Sequence, residues 1–398
     1  MTAKQIFIDT ELRQETELRL RKLLPLMQRE GLDAILVGSN ANIFYLSGRF
    51  YRGYVYLDKE GRRRYFVISP ADFAAAPEVA YIRKPEQIPA LLSEAGLGLP
   101  QRIGLEYDSL FYSEIGRLQK VFAESQTADC SAILREARMV KTPYEIGQMR
   151  EDGGHQVAVY RRIDRLYKKD MTDLEFQIEI EHVLRLEGCL GYLRTAGHLM
   201  EINMGSVING ANADRPTPYD FSMGGSGVSP SMPVGADGTT MKNGTTVMVD
   251  MNGNFNGYQT DMTRVWSIGE VPAEALKAHE CTRKILRSLE KMARPGVEIR
   301  ALYEEALRIA EEDGLAHCFM GHHRQVGFIG HGVGIELNEQ PAITPKCRVT
   351  LKSGMTLALE PKFVIPEVGA VGVENTYVVT DSGLDNLTDW REEIVSLI

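Results

Sequence analysis

The sequence predicts two domains, an α/β domain over residues 1–137 and an α+β domain over residues 138–398. The chain has 398 residues, which exceeds the ~150 residues typical of one domain. The first third alternates helix-like and strand-like segments, whereas the remainder twice shows two helices followed by glycine-rich strands. The phrase KTPYEIGQMR, which carries strong helix-start signals, separates the two patterns.

The predicted N-terminal domain opens with a helix. In ETELRLRKLLPLMQREG the apolar residues share one side, and Gly31 provides a stop. The strand-like segments DAILVG, YVYLD, RYFVIS and RIGLEYD follow, and SEIGRLQKVFAE has a helical pattern. This alternation is typical of an α/β domain.

The second domain begins with paired helices. Thr142, Pro143 and Glu145 combine an N-cap, a proline in the first turn and a capping-box acid, and Thr172 with Glu175 repeats the capping device. The segments AEALKAHECTRKILRSLEKM and EIRALYEEALRIAEED form a second pair. Each pair precedes strand segments, which predicts helices packed on a mainly antiparallel sheet and hints at internal duplication.

Composition narrows the class of protein. The 54 acidic and 45 basic residues give a formal charge of −9, which argues against a nucleic-acid partner. No apolar run approaches ~18 residues, and the opening stretch MTAKQIFIDTELRQ lacks the apolar core of a signal peptide. The five cysteines include no CxxC pair, so neither a disulfide framework nor a thiolate zinc site is indicated. We predict a soluble cytoplasmic protein without a membrane partner.

One hairpin carries two opposed carboxylates. In VMVDMNGNFNGYQTDMTRVW, the flanks are strand-like and each contains one aspartate, Asp250 and Asp261. A turn at Phe255–Asn256 would place the two residues directly opposite, and a turn at Asn256–Gly257 would place them diagonally. Either register puts both carboxylates on one face of the hairpin. Because like charges repel, the sequence requires something that neutralises them.

Three more ligand-type residues follow in strand-like surroundings. His331 lies between glycines in GFIGHGVG, Glu360 ends the apolar segment MTLALE, and Glu374 is expected within the strand AVGVENTYVV. Each residue alone is more often solvent-facing or structural than functional. Four buried carboxylates together need cations, and an oxygen-rich set with one imidazole suits Mn²⁺, Co²⁺, Fe²⁺ or Zn²⁺. Such a set can hold two ions ~3.5–4 Å apart.

These residues and their flanking phrases resemble a known family. The order VDMNGNFNGYQTDMTR, GHGVG, LEP and GVEN is similar to the pita-bread metallopeptidases, which include methionine aminopeptidase, prolidase and aminopeptidase P. The segment GLDAILVGSNANIFYLSG resembles the N-terminal domain of the creatinase, prolidase and aminopeptidase P branch. The resemblance implies a creatinase-type domain over 1–137 and a pita-bread catalytic domain over 138–398. It also implies an Xaa-Pro dipeptidase or aminopeptidase, expected as a homodimer.

The resemblance also implies roles for the five residues. Asp250 would bind one metal ion, Asp261 and Glu374 would bridge two ions, and His331 with Glu360 would complete the second. Glu360 would also be catalytic, as the acceptor of a proton from the metal-activated water that attacks the scissile amide. The expected cofactor is a pair of divalent ions, with Mn²⁺ as the leading candidate and Co²⁺, Zn²⁺ or Fe²⁺ as alternatives.

The chain departs from the pattern of that branch in its substrate-contacting residues. Asn338 and Thr217 stand where histidines are usual, Gly372 replaces an arginine, and Lys362 replaces a glycine. We predict that Asn338, Thr217 and Lys362 contact the substrate, with the Lys362 cation compensating for the missing arginine.

Two alternative functions remain open on these grounds. Since creatinase shares the architecture, the chain could hydrolyse another small amide. It could also be a metal-binding pita-bread module with little peptidase activity, although such modules generally lose metal ligands.

Two further histidines, His322 and His323, precede His331 in the same segment. We interpret them as part of an exposed polar loop.

Overall fold

The structure is a computed structural model that describes residues 10–73, 76–197, 200–219 and 221–398. Residues 1–9, part of the stretch in which no signal peptide was predicted, lie outside the described residues. The chain divides into two compact units, Met1–Arg138 and Met139–Ile398. Among the helices of the described ranges, none combines the length and the apolar character needed to cross a membrane.

The first unit is an α/β domain built on one mixed sheet. Its strands are β1 (Ala34–Val37), β2 (Arg52–Asp58), β3 (Arg63–Ser69), β4 (Val79–Tyr81), β5 (Arg102–Leu105) and β6 (Gln126–Asp129). Its helices are α1 (Thr10–Arg29), α2 (Asn40–Ser47), α3 (Ile88–Glu94), α4 (Tyr112–Val121) and α5 (Ser131–Met139). The sheet order is β4-β3-β2-β1-β5-β6, with β5 and β6 parallel to β1. Every element predicted in this domain is present, whereas α2, α3, α5, β4 and β6 were not predicted.

The second unit is an α+β domain. Its helices are α6 (Pro143–Tyr160), α7 (Asp173–Glu187), α8 (Ala273–Met292) and α9 (Ile299–Glu312). Its strands are β7 (Gly205–Asn209), β8 (Thr245–Gly253), β9 (Thr260–Ile268), β10 (Gly330–Gly332), β11 (Thr356–Leu359), β12 (Lys362–Ile365), β13 (Gly369–Gly372), β14 (Asn375–Thr380), β15 (Gly383–Asn386) and β16 (Val395–Ser396). They form two four-stranded sheets, β16-β9-β8-β7 and β10-β11-β14-β15, and the ribbon β12-β13.

Capping boxes start the first two helices of this unit. The Thr142 side chain accepts a hydrogen bond from the Glu145 amide, and the Glu145 carboxylate accepts one from the Thr142 amide. Thr172 and Glu175 make the same reciprocal pair at the start of α7. Each pair satisfies amides that the first turn of a helix leaves without partners. Both predicted helix starts are confirmed.

The helix pairs cover different parts of the strand layer. Helices α6 and α7 share one apolar core with β7, β8 and β9, and helices α8 and α9 share another with β11 to β14. Successive side chains of a strand point to opposite faces. Val247, Val249 and Met251 face the first helix pair, so Asp250 faces away from it, on the side of Met248. The hairpin therefore presents its acidic face away from α6 and α7.

Helix α6 fastens the β8–β9 hairpin through polar residues spaced four apart, Asp152, Gln156 and Tyr160. Oδ1 of Asp152 accepts a hydrogen bond from the Phe255 amide at 2.5 Å. The Thr260 hydroxyl lies 2.8 Å from Oδ2 of Asp152 and 2.7 Å from Oε1 of Gln156. Since residues four apart share one side of a helix, this buried polar stripe holds the end of the hairpin against α6.

The third residue of the stripe bridges the two strands. The Tyr160 hydroxyl accepts a hydrogen bond from the Met251 amide at 3.0 Å and donates one to the Met262 carbonyl. Met251 and Met262 are directly opposite in the hairpin and directly follow Asp250 and Asp261 in sequence. The helix therefore fixes the hairpin beside both acidic positions, and the sequence analysis did not identify this contact.

Asp152 gives a prediction about stability and pH. Burial raises the pKa of Asp152 to about 7 from an ordinary value of 3.8, although hydrogen bonds from Phe255 and Thr260 oppose the shift. A folded-state pKa above the unfolded value penalises folding progressively as pH rises between the two values. We expect the unfolding free energy of Asp152→Asn, relative to the natural chain, to increase from pH 4 to pH 7 and then level off.

Tryptophan fluorescence during urea unfolding measures this difference. Both tryptophans of the chain, Trp266 and Trp390, belong to the second unit, so their signal reports that unit. Asp381→Asn, in the exposed turn between β14 and β15, is the matched control. A constant offset between Asp152→Asn and the natural chain over this pH range would contradict the assignment.

Candidate metal centre

The β8–β9 hairpin supplies Asp250 and Asp261. Asp250 lies opposite Thr263, and Asp261 lies opposite Asn252. This register is the one that a turn centred on Asn256–Gly257 produces, so the diagonal alternative is correct. The two carboxylates share one face of the hairpin, as predicted from the sequence.

Three further segments deliver the remaining ligand-type residues. His331 belongs to β10 and pairs with Ala358 of β11, and Glu360 directly follows β11. Glu374 lies between β13 and β14, in an isolated bridge with Thr263. Glu374 was expected within a strand, but the structure places it between β13 of the two-stranded ribbon and β14 of a four-stranded sheet. The bridge to Thr263 brings Glu374 next to the acidic face of the hairpin.

One group of ligand-type atoms fits a divalent cation. Atoms of Asp261, His331 and Glu374 lie within 4.8 Å of one another. Nε2 of His331 is 3.6 Å from Oδ2 of Asp261 and 3.7 Å from Oε1 of Glu360. Oε1 of Glu374 is buried and has no hydrogen-bond partner among the described residues. A buried carboxylate oxygen without a donor, beside an imidazole and a second carboxylate, suits a hard or borderline metal ion.

A second group surrounds the ammonium of Lys362. Nζ lies 2.8 Å from Oδ2 of Asp250, 2.8 Å from Oε2 of Glu360 and 3.1 Å from Oε2 of Glu374. The Lys362 side chain is 0% exposed. Asp250, Glu360 and Glu374 also have ligand atoms within 4.8 Å of one another. The ammonium therefore lies at the second cluster of carboxylate oxygens.

Strand pairing explains how Lys362 reaches this place. Lys362 begins β12 and pairs with Gly372 of β13. A Cβ on Gly372 would lie 2.6 Å from Cγ of Lys362, so a side chain there would collide with the stem of the lysine. Lys362 and Gly372, two of the four positions that depart from the family pattern, are therefore neighbours across one ribbon. Glycine at 372 leaves the space through which the lysine stem runs.

Ser222 completes the contacts of the ammonium. Its hydroxyl donates a hydrogen bond to Oε2 of Glu360 at 2.7 Å, and Lys362 donates to the same hydroxyl at 3.2 Å. Ser222 belongs to an irregular segment before β8. No spacing rule connects such a segment with β12, and the sequence analysis missed this residue.

Burial and charge set the protonation of the cluster. Burial, reinforced by Glu374 and Asp250, raises the pKa of Asp261 well above its usual value. Burial likewise raises the pKa of Glu374 to about 8, while Lys362 opposes that shift. For Glu360, burial is outweighed by Lys362 and His331, which lower its pKa below the usual value. Burial disfavours the charged lysine, but the surrounding carboxylates raise the pKa of Lys362 well above its ordinary range.

A cavity of about 440 Å³ opens onto this cluster. Four of the predicted ligands contribute to its lining: Asp250, Asp261, His331 and Glu360. The apolar part of the lining includes Ile202, Phe221, Met223, Phe328 and Leu337. A mainly apolar cleft that converges on a few ionisable groups is the usual form of a small-molecule site.

The three residues predicted to contact substrate lie in different environments. Asn338 lines the cavity, and its side chain accepts a hydrogen bond from the Ala196 amide at 2.6 Å. Thr217 borders a neighbouring cavity of about 260 Å³, where its hydroxyl donates to the Pro233 carbonyl at 2.8 Å. Lys362 is fully buried among the carboxylates rather than on the cavity wall. The structure thus brings only Asn338 of the three to the cavity lining.

His322 and His323 form a separate group. Nδ1 of each lies within hydrogen-bonding distance of Oδ2 of Asp214, at 3.0 Å and 2.5 Å. His322 and His323 border the neighbouring cavity together with Thr217. The favoured interpretation as a polar loop fits the 74% exposure of the His323 side chain.

Family models match both units. The model of metallopeptidase family M24 matches residues 147–381, and that of the creatinase/prolidase N-terminal domain matches residues 19–140. The first match covers more than half of the chain. The predicted family and the predicted pair of domain types are confirmed.

Individual relatives match almost the whole chain at low identity. An Xaa-Pro dipeptidase of Pyrococcus furiosus is 23% identical over 385 residues, which cover 95% of this chain and 99% of that protein. Among solved structures, an Xaa-Pro dipeptidase from Bacillus anthracis has a TM-score of 0.80 at 20% identity, covering 96% of this chain and 99% of that chain. The prolidase from Pyrococcus horikoshii has a TM-score of 0.77 at 21% identity, covering 95% and 99%. At such identities the structural likeness establishes the fold.

The first cation position can be tested by removing one carboxylate. We expect Asp261→Asn to weaken Mn²⁺ binding at least about tenfold, because even the loss of an outer-shell partner costs ~10–100-fold in metal affinity. Titration calorimetry on metal-stripped protein measures the change. Asp381→Asn, the same change in the exposed turn between β14 and β15, is the control and should leave Mn²⁺ binding unchanged. Equal Mn²⁺ affinities for the natural chain and Asp261→Asn would show that the ion binds elsewhere.

Proposed function

Since this chain belongs to metallopeptidase family M24, we propose that it cleaves Xaa-Pro bonds in small peptides, as a dipeptidase or an aminopeptidase. The observation that carries the proposal is the cation position formed by Asp261, His331 and Glu374 beside a cavity of about 440 Å³. Relatives named Xaa-Pro dipeptidase match nearly the full length of the chain, which supports this substrate class.

Glu360 is proposed as the general base. Its Oε2 accepts hydrogen bonds from Ser222 and Lys362, which fix the carboxylate, and its Oε1 is 3.7 Å from Nε2 of His331. The pKa of Glu360 lies below its usual value because Lys362 and His331 outweigh the effect of burial. The carboxylate is therefore ionised and lines the cavity, ready to accept a proton from water and to donate it to the leaving nitrogen.

The remaining residues of the centre would bind the metal ion or orient the substrate. Asp261, His331 and Glu374 would hold a divalent ion, which when bound polarises the scissile carbonyl and acidifies a water. We propose that Asn338 orients the substrate indirectly, by holding the cavity wall in place. Its side-chain amide accepts a hydrogen bond from the Ala196 amide and donates one to the Ala196 carbonyl. Thr217 has no proposed contact with substrate, since its hydroxyl is bonded to Pro233 beside the other cavity.

We also propose Mn²⁺ as the native ion, a cytoplasmic location and a homodimeric assembly. Carboxylate oxygens with one imidazole suit Mn²⁺, with Co²⁺, Zn²⁺ and Fe²⁺ as competitors. The dimer rests on likeness to the family alone. Light scattering at micromolar concentration should give a mass near twice the chain mass of 44.5 kDa, and a mass near one chain would refute the dimer.

Two other functions were considered from the sequence, the hydrolysis of another small amide and metal binding with little peptidase activity. Hydrolysis of another small amide would use the same centre, but it is not favoured, because relatives named Xaa-Pro dipeptidase match nearly the full length of the chain. A metal-binding pita-bread module with little peptidase activity is not favoured either, because the chain retains all five ligand-type residues and matches the peptidase family.

A dipeptide panel tests the substrate class and Glu360 together. With Mn²⁺, Co²⁺ or Zn²⁺ supplied separately, we expect prolyl dipeptides to be cleaved faster than matched dipeptides without proline. Glu360→Gln should lower kcat by ~10²–10⁴-fold, the usual contribution of general acid–base catalysis. Glu280→Gln, an exposed change on α8, is the control and should keep full activity. Cleavage of other amides but of no prolyl peptide would overturn the proposed substrate.

A further inference from the structure

We propose that the ammonium of Lys362 permanently occupies one of the two cation positions, so that the centre binds a single divalent ion between Asp261, His331 and Glu374. The inference deepens the proposed function and rests on it for the role of the centre. It assigns to Lys362 a structural charge within the catalytic cluster in place of a substrate contact.

The contacts of Nζ define the occupied position. Three oxygens from different residues, Asp250, Glu360 and Glu374, lie 2.8 to 3.1 Å from Nζ. A divalent ion such as Zn²⁺ binds carboxylate oxygens at ~2.0–2.2 Å. An ion that used these oxygens would enter the space that the ammonium fills. The two cations therefore exclude each other at this position.

The two shared carboxylates divide their oxygens between the positions. Oε2 of Glu374 accepts from Lys362 and from the Thr263 hydroxyl, whereas its Oε1 is buried without a hydrogen-bond partner among the residues that the structure describes. Oε2 of Glu360 accepts from Lys362 and Ser222, whereas its Oε1 is the atom near His331. Each carboxylate thus serves the ammonium with one oxygen and leaves the other for an ion beside His331.

The lysine is built into the fold at this place. Its stem passes over Gly372, where any Cβ would lie 2.6 Å from Cγ of Lys362. Its backbone carbonyl accepts a hydrogen bond from the Met320 amide at 2.8 Å. Moving the ammonium away would bury an unpaired charge and leave three carboxylates without their cation, and both changes are strongly unfavourable. A second metal ion would have to overcome that cost.

Metal counting tests the proposal without reference to activity. The His322→Ala/His323→Ala background is used throughout, because Asp214, His322 and His323 form a separate ligand-type group. After loading with excess Mn²⁺ and gel filtration, we expect one Mn²⁺ per chain and the electron paramagnetic resonance spectrum of an isolated ion. Two tightly bound ions per chain with an exchange-coupled spectrum would overturn the proposal.

Variants of Lys362 test whether its ammonium is the cation that excludes a second metal ion. Lys362→Ala should raise the count to two ions and produce the coupled spectrum, and Lys362→Met, which keeps most of the stem, should move the count in the same direction. Lys284→Ala, an exposed lysine on α8, should keep one ion. If folded Lys362→Ala still binds one ion, the ammonium is not what excludes the second. If neither Lys362 variant folds, the count and spectrum of the background protein still decide.

The outcome is separable from the proposed function. Prolyl cleavage with two ions bound would retain the function and refute the role of Lys362. One bound ion without any peptide cleavage would retain the role of Lys362 and refute the substrate class.

Discussion

The structure of the second unit depends on neutralising four carboxylates that lie together in its interior. Asp250, Asp261, Glu360 and Glu374 come from separate strand segments, and none of their side chains is more than 21% exposed. Burying one ionised carboxylate without a partner costs several kcal/mol. The fold can therefore keep all four carboxylates ionised only where positive charge is supplied. The ammonium of Lys362 supplies one part of that charge. A metal ion bound beside His331 would supply the other part.

This constraint links features that are distant in sequence. The hairpin register that aligns the two aspartates is held from behind by Tyr160, whose hydroxyl bonds to both strands. The β12–β13 ribbon delivers the lysine because Gly372 leaves room for its stem. The same lysine helps to keep Glu360 ionised at the cavity. The chemistry proposed for this family member therefore uses the charge that also stabilises the buried cluster.

Local patterns in the sequence were sufficient for the two domain types, the capped helices and the shared face of Asp250 and Asp261. Each depends on periodicity or on residues a few positions apart, such as Thr142 with Glu145. The destination of Lys362 could not be predicted in this way, since it depends on pairing with Gly372 and on Ser222, which is 140 positions away. The cavity that the Thr217 side chain borders could not be predicted for the same reason, because counting along a loop does not reveal it.

Anomalous diffraction from a crystal of the Mn²⁺-loaded protein locates the bound ions and the Lys362 side chain in one experiment. We expect a single manganese peak between Asp261, His331 and Glu374, with Nζ of Lys362 within hydrogen-bonding distance of Asp250 and Glu360. Two manganese peaks bridged by Asp261 and Glu374, with the Lys362 side chain displaced from the carboxylates, would contradict this expectation.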